Sequence, residues 1–69
     1  MKQRQVCDNV SDLFLMSGKT VKMFADSVGV AAGAAGNWVS RKCNPNSARI
    51  PAIADFFGVP ISRLFEGVE

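Results

Sequence analysis

The chain has no histidine, only two cysteines and no long apolar run. Each absence removes a class of function. Without histidine the commonest general base and metal ligand is missing, and the serines and aspartates present have no partner for a nucleophilic triad. Cys7 and Cys43 stand far apart with no CxxC pair. Two thiols alone are too few ligands for a zinc site, so unbridged cysteines in a reducing compartment are expected. Lys42 beside Cys43 leaves redox sensing as the other use of a thiol. The apolar residues never run unbroken for more than a few positions, which argues against a spanning helix and against the apolar stretch of a secretory signal. The expectation is a cytoplasmic protein with no metal, no cofactor and no enzymatic activity.

What the chain does have is enough apolar material to fold. Its 69 residues make one domain, 1–69, with 48% hydrophobic and 20% charged residues, far from the composition of disordered chains. At this length only about 60% of the unfolded surface is buried on folding, so the connections must be short. The net charge of +2 hides an uneven distribution. Between Ser17 and Ile50 stand Lys19, Lys22, Arg41, Lys42 and Arg49 against Asp26 alone, a net of +4, while the rest of the chain carries a net of −2. A basic portion of this kind points to a polyanionic partner.

Helical periodicity runs through the whole chain, and no strand pattern competes with it. Val6, Val10, Leu13 and Phe14 repeat at the spacing of one helix face, predicting a first helix from near Val6 to Ser17. Gly18 stops it, and Thr20 is placed to cap a second helix bearing Val21, Phe24, Ala25 and Val28 on one side. Gly29 ends that helix and Val30 packs inward at the turn. A third helix is expected from about Ala31 to Ser40, with Ala35, Trp38 and Val39 on its inner side. Its two glycines, Gly33 and Gly36, each cost up to about 1 kcal/mol relative to alanine. After the polar stretch 41–47, Ser47 is placed to cap a fourth helix with Ile50, Ile53, Ala54 and Phe57 inward and Pro51 in its first turn. Gly58 closes it, and Pro60 opens a short fifth helix with Ile61, Leu64 and Phe65 inward. The fold class is therefore all-α, five short helices around one core.

From Thr20 to Ser40 the order is an eight-residue helix, a glycine turn, and a second helix that crosses the first. Ala25 supplies the small residue that close crossing requires. The run Gly18-Lys-Thr-Val, Phe24-Ala25, Val28-Gly29-Val30 and Trp38, followed by Asn44-Pro45 and by Ile50-Pro51-Ala-Ile53-Ala54-Asp55-Phe-Phe57-Gly58-Val59-Pro-Ile-Ser-Arg-Leu64-Phe65, resembles the phage repressor and Cro helix-turn-helix family. The resemblance covers about Val10 to Gly67. It implies a compact lambda-repressor-like domain that binds palindromic operator DNA as a homodimer, weak in solution and completed on DNA.

In that family the third helix lies in the major groove. Carried over by position, the base-facing residues are Ala31, Ala32, Gly33, Gly36, Asn37 and Ser40. This chain departs from its relatives here, because they usually place longer polar side chains at several of these positions. Two readings stay open. Either the small residues seat the helix backbone deep in the groove, with alanine methyls on thymine methyls and Asn37 on adenine, or the helix is a packing element and DNA binding is poor. Phosphate contacts are expected from Lys19, Thr20, Lys22, Arg41, Lys42, Asn44 and Arg49. For each lysine and arginine among them ordinary surface charge is the alternative, and for Asn44 stabilisation of the turn. By the same resemblance Val59, Pro60, Ile61 and Arg63 form the dimer interface. Trp38 is assigned to the core. The chain is read as either a complete Cro-like protein or the N-terminal part of a longer repressor. The competing function is a protein-interaction module, such as an antitoxin built on the same fold, which an unexplained exposed apolar face would favour.

Overall fold

The hydrophobic periodicity is met by helices in every place it occurs. A computed structural model describes residues 4–68; Lys2 and Glu69, counted in the charge balance, lie outside the described residues. The helices are α1 (Val6–Ser17), α2 (Val21–Val28), α3 (Ala32–Val39), α4 (Ile50–Phe57) and α5 (Ile61–Leu64), with a 3-10 turn at Ser47–Arg49 leading into α4. There is no strand among the described residues; a lone parallel bridge joins Arg4 to Val68. The all-helical class is thus observed.

Local chemistry accounts for most boundaries. Thr20 accepts a hydrogen bond from the Met23 N–H at 3.2 Å and so caps α2. Gly29 ends α2 at φ +82°, a conformation that costs other residues about 1 kcal/mol or more. Two boundaries differ from expectation. Ala31 is the residue before α3 rather than its first, with extended backbone and no side-chain cap. Ser47 makes no cap to α4, because the chain enters that helix through the 3-10 turn and places Pro51 in its first turn.

The core is built from Val10, Phe24, Ala25, Val28, Ala35, Trp38, Ile50, Ile53, Ala54 and Leu64. Phe24 lies at its centre, with the rings of Phe14, Trp38, Phe56 and Phe57 all within about 6 Å. Helix α3 packs on both α1 and α2, and Ala35 and Trp38 are its buried residues. That packing compensates for a helix weak in its own right.

One expectation about α5 is corrected. Of Ile61, Leu64 and Phe65, only Leu64 is buried, while Ile61 and Phe65 are 46% and 45% exposed. A helix of four residues has a single turn, and here that turn is pinned from α1 through the Leu64 carbonyl. The buried Asn9 amide donates to Leu64 O at 2.7 Å and to Glu66 O at 3.0 Å, and its own oxygen accepts from Arg4 Nε at 2.6 Å. This buried polar clamp was not legible in the periodicity.

Candidate nucleic-acid interface

The outer side of α3 is open and almost without side chains. Ala31, Ala32, Gly33, Asn37 and Ser40 are exposed and Gly36 is half-buried, whereas Ala35 and Trp38 between them face the core. A Cβ added at Gly33 or at Gly36 would meet nothing within 4 Å. Packing among the described residues therefore gives no reason for either glycine. The first turn of α3 has no side-chain cap, so its leading N–H groups are available to a partner from outside. Asn37 makes no side-chain hydrogen bond among the described residues. The Ser40 hydroxyl is less free, since it donates to Asn37 O at 3.3 Å.

The seven residues expected at phosphates divide by their surroundings. Lys42 is the third residue after α3, its N–H closing the turn on Asn37 O at 2.9 Å. Arg49 is carried by the 3-10 turn to the α2–α3 junction, its guanidinium reaching 3.9 Å from where a Cβ on Gly29 would stand. Neither Lys42 nor Arg49 has a carboxylate partner among the described residues. Lys22 is exposed and pairs with Asp26 one turn on, at 3.2 Å. Thr20 spends its side-chain oxygen on the α2 cap. Lys19 sits over the Phe56 ring, 4.7 Å from its centre.

Two members of the set are engaged elsewhere. Asn44 uses its side-chain oxygen to accept from the Cys7 N–H at 3.0 Å, satisfying the first turn of α1. Arg41 turns back to α1, with Nη2 at 3.0 Å from Asp12 and Nε at 3.4 Å from Asp8. Sequence separations of 37 and 29 residues hid both contacts from local reading. The cysteines form no disulfide; Cys7 is buried and Cys43 exposed.

Asp12 also accepts from Arg4. That hydrogen bond, with the charges of Arg4 and Arg41, outweighs desolvation and holds the Asp12 carboxyl below the ordinary carboxylate range. A lowered value in the folded state means that the folded chain binds fewer protons than the unfolded one as the pH falls. The stability involved is complete above about pH 4, where an unfolded aspartate is ionised, and is lost as the pH drops through the folded value. The expected result is a thermal midpoint for Asp12→Asn below that of the unsubstituted chain at neutral pH, with the gap closing in acid. A gap that stays constant down to strongly acidic pH would contradict the assignment.

The patch expected at a dimer contact is exposed in part. Pro60 and Ile61 are exposed, while Val59 and Arg63 are half-buried, and Arg63 lies 3.8 Å from Glu66. Phe65, which the sequence reading turned inward, adds to the apolar area there. A second exposed apolar region lies at the far end of α1, where Leu15 and Met16 are 72% and 80% exposed. Beside it is a cleft of about 320 Å³ lined by Leu13, Met16, Ser17, Lys19, Phe56 and Phe57. No group of histidine, cysteine or acidic residues suited to a metal occurs among the described residues, and no helix there is long and apolar enough to cross a membrane.

These features define a small all-helical domain with an open glycine-containing helix face and cations at both ends of that helix. Comparison with known protein families, with curated proteins and with solved structures finds no match for this chain.

Proposed function

We propose that the chain is a sequence-specific DNA-binding regulator with a lambda-repressor-like helix-turn-helix fold, acting as a repressor of the phage or prophage type rather than as an enzyme. The observation that carries this reading is the face of α3: two glycines in a helix with none of the described residues above them. Such glycines cost helix stability, about 0.5–1 kcal/mol each. The cost has a use where a partner's surface must approach the backbone, and a DNA groove is such a surface. The flanking cations support a polyanion as that partner, Lys42 and Arg49 above all because no carboxylate among the described residues neutralises them. In this reading Asn37 reads a base, and α3's uncapped N–H groups meet the DNA backbone.

The domain measures 33 × 23 × 23 Å, so one copy covers one half-site. Two copies joined through the patch of Val59, Pro60, Ile61 and Arg63, to which Phe65 adds, would occupy the two half-sites of a palindrome, which lie one helical turn apart, about 34 Å. The apolar patch is small, so the dimer is weak in solution and completed on DNA.

Selection from a randomised duplex pool, with affinities taken at two salt concentrations, tests the reading. An enriched palindrome supports it, and salt-sensitive binding with no enriched sequence removes the claim of base reading. Two substitutions sharpen the outcome. Gly36→Ala is expected to raise folding stability by about 0.5–1 kcal/mol and yet to weaken duplex binding, a pairing that separates the glycine's binding role from its folding cost. Asn37→Ala is expected to lose about 1–3 kcal/mol of discrimination at one base position and little affinity for other sequences. Equal losses on all sequences would show that Asn37 does not read a base.

The second reading, a protein-interaction module such as an antitoxin, is favoured by one observation. Leu15, Met16 and Met23 are exposed large apolar side chains with no partner in the fold that would bury them, and methionine-rich surfaces adapt readily to partners. Retained duplex selection after Leu15→Ser and Met16→Ser would separate this surface from DNA binding.

A further inference from the structure

We propose that Asp8 and Asp12 stand in for phosphate within the chain, holding the Arg41 guanidinium on α1 and withholding it from a polyanion bound at α3. The inference rests on the duplex-binding reading above and names a regulation of that surface. Arg41 is the second residue after α3 and the one non-glycine residue with positive φ among the described residues, at +66°. Helices commonly end on glycine in this conformation, because a Cβ there is strained. The turn is closed by the Arg41 N–H on Trp38 O at 3.2 Å and the Lys42 N–H on Asn37 O at 2.9 Å. It sends the Arg41 side chain to α1, where the two carboxylates take its Nη2 and Nε.

A guanidinium fork meets a pair of carboxylate oxygens much as it meets phosphate oxygens. Two acids on successive turns of α1 thus occupy the cation that stands nearest the end of α3, along with Lys42. Arg4 shares Asp12, so two arginines face two carboxylates and the cluster carries no net charge. The hold is a weak one. Arg41 is 47% exposed on its side chain, and ion pairs this open to water are worth about fivefold at most. Phosphates must therefore displace two carboxylates to reach the Arg41 guanidinium, whereas Lys42 and Arg49, which have no carboxylate partner among the described residues, are available from the start.

The test is a cycle of four proteins, the unsubstituted chain, Asp12→Asn, Arg41→Ala and the double variant, each measured against a labelled duplex of random sequence at two salt concentrations. Asp12→Asn is expected to tighten binding by up to about fivefold and to steepen the salt slope by up to about 0.9, the value of one added phosphate contact. Arg41→Ala alone is expected to change affinity by less than about twofold, and to abolish the gain when combined with Asp12→Asn. A gain that persists with alanine at 41 is a net-charge effect and overturns the proposal. So does the absence of any gain where the unsubstituted chain binds; in that case the duplex reading survives. No duplex binding by any of the four overturns both. Should Asp12→Asn fold poorly, the nitrogen-15 signal of Arg41 Nε–H in the unsubstituted chain decides the matter. Held by the two carboxylates, it is expected to stay fixed while α3 resonances shift on addition of duplex, and a signal that moves with them overturns the proposal.

Discussion

Phe24→Ala is expected to leave most of the chain unfolded at room temperature. The side chain is fully buried, and it is the point where α1, α2, α3 and α4 meet. Its ring lies 5.1 Å from Phe56, 5.3 Å from Phe57, 6.0 Å from Trp38 and 6.1 Å from Phe14. Truncating a buried phenylalanine costs about 3–5 kcal/mol, and each lost ring pair adds to that where its geometry was favourable. A domain of this length has about 3–10 kcal/mol in all, at 0.05–0.15 kcal/mol per residue. The loss therefore approaches the whole. Denaturant titration followed by circular dichroism checks it, and a loss below about 1 kcal/mol would show that the core repacks. Helix α3 should suffer first. It has two glycines and no side-chain cap, and it is held through Ala35 and Trp38 against the cluster that Phe24 organises. Duplex affinity should fall with the folded fraction, without a change in sequence preference.

The second large effect is expected at Asn9. Asn9→Leu keeps the branched shape of the side chain but removes the amide that serves Leu64 O and Glu66 O and the oxygen that accepts from Arg4. The Leu64 carbonyl is then buried without a partner, at a cost of about 1–3 kcal/mol, and the added apolar surface recovers little of it because the surrounding groups are polar. The consequence is local before it is global. Helix α5 has one turn and one buried residue, so the Asn9 clamp supplies much of what holds the end of the chain on α1. Amide exchange should quicken first in α5 and at Val68, and the urea midpoint should fall. Unchanged exchange in α5 would show that Leu64 alone anchors it. If Ile61 and Phe65 form the dimer contact proposed here, the same substitution should weaken pairing on DNA more than binding to a half-site.

Much of this protein was decided by short-range pattern. The i, i+3, i+4, i+7 spacing of Val21, Phe24, Ala25 and Val28 and of Ile50, Ile53, Ala54 and Phe57 suffices for the amphipathic faces of α2 and α4. Gly18, Gly29 and Gly58 end their helices in the left-handed conformation that glycine takes without strain. Which residues of α3 lie outward also follows from that period, because Ala35 and Trp38 fix the inner side. Tertiary structure alone decided where the polar groups go. Arg41 reaches across 29 residues to Asp12, Asn44 across 37 to Cys7, and Asn9 across 55 to Leu64. Periodicity reports how a helix divides its own faces. It carries no information on which distant polar atom completes a hydrogen bond, since that depends on how whole helices cross and on the need to satisfy every buried donor and acceptor. The outward turn of Ile61 and Phe65 has the same origin, because a one-turn helix has too few residues for its own period to choose a face and takes its orientation from the carbonyl that α1 captures.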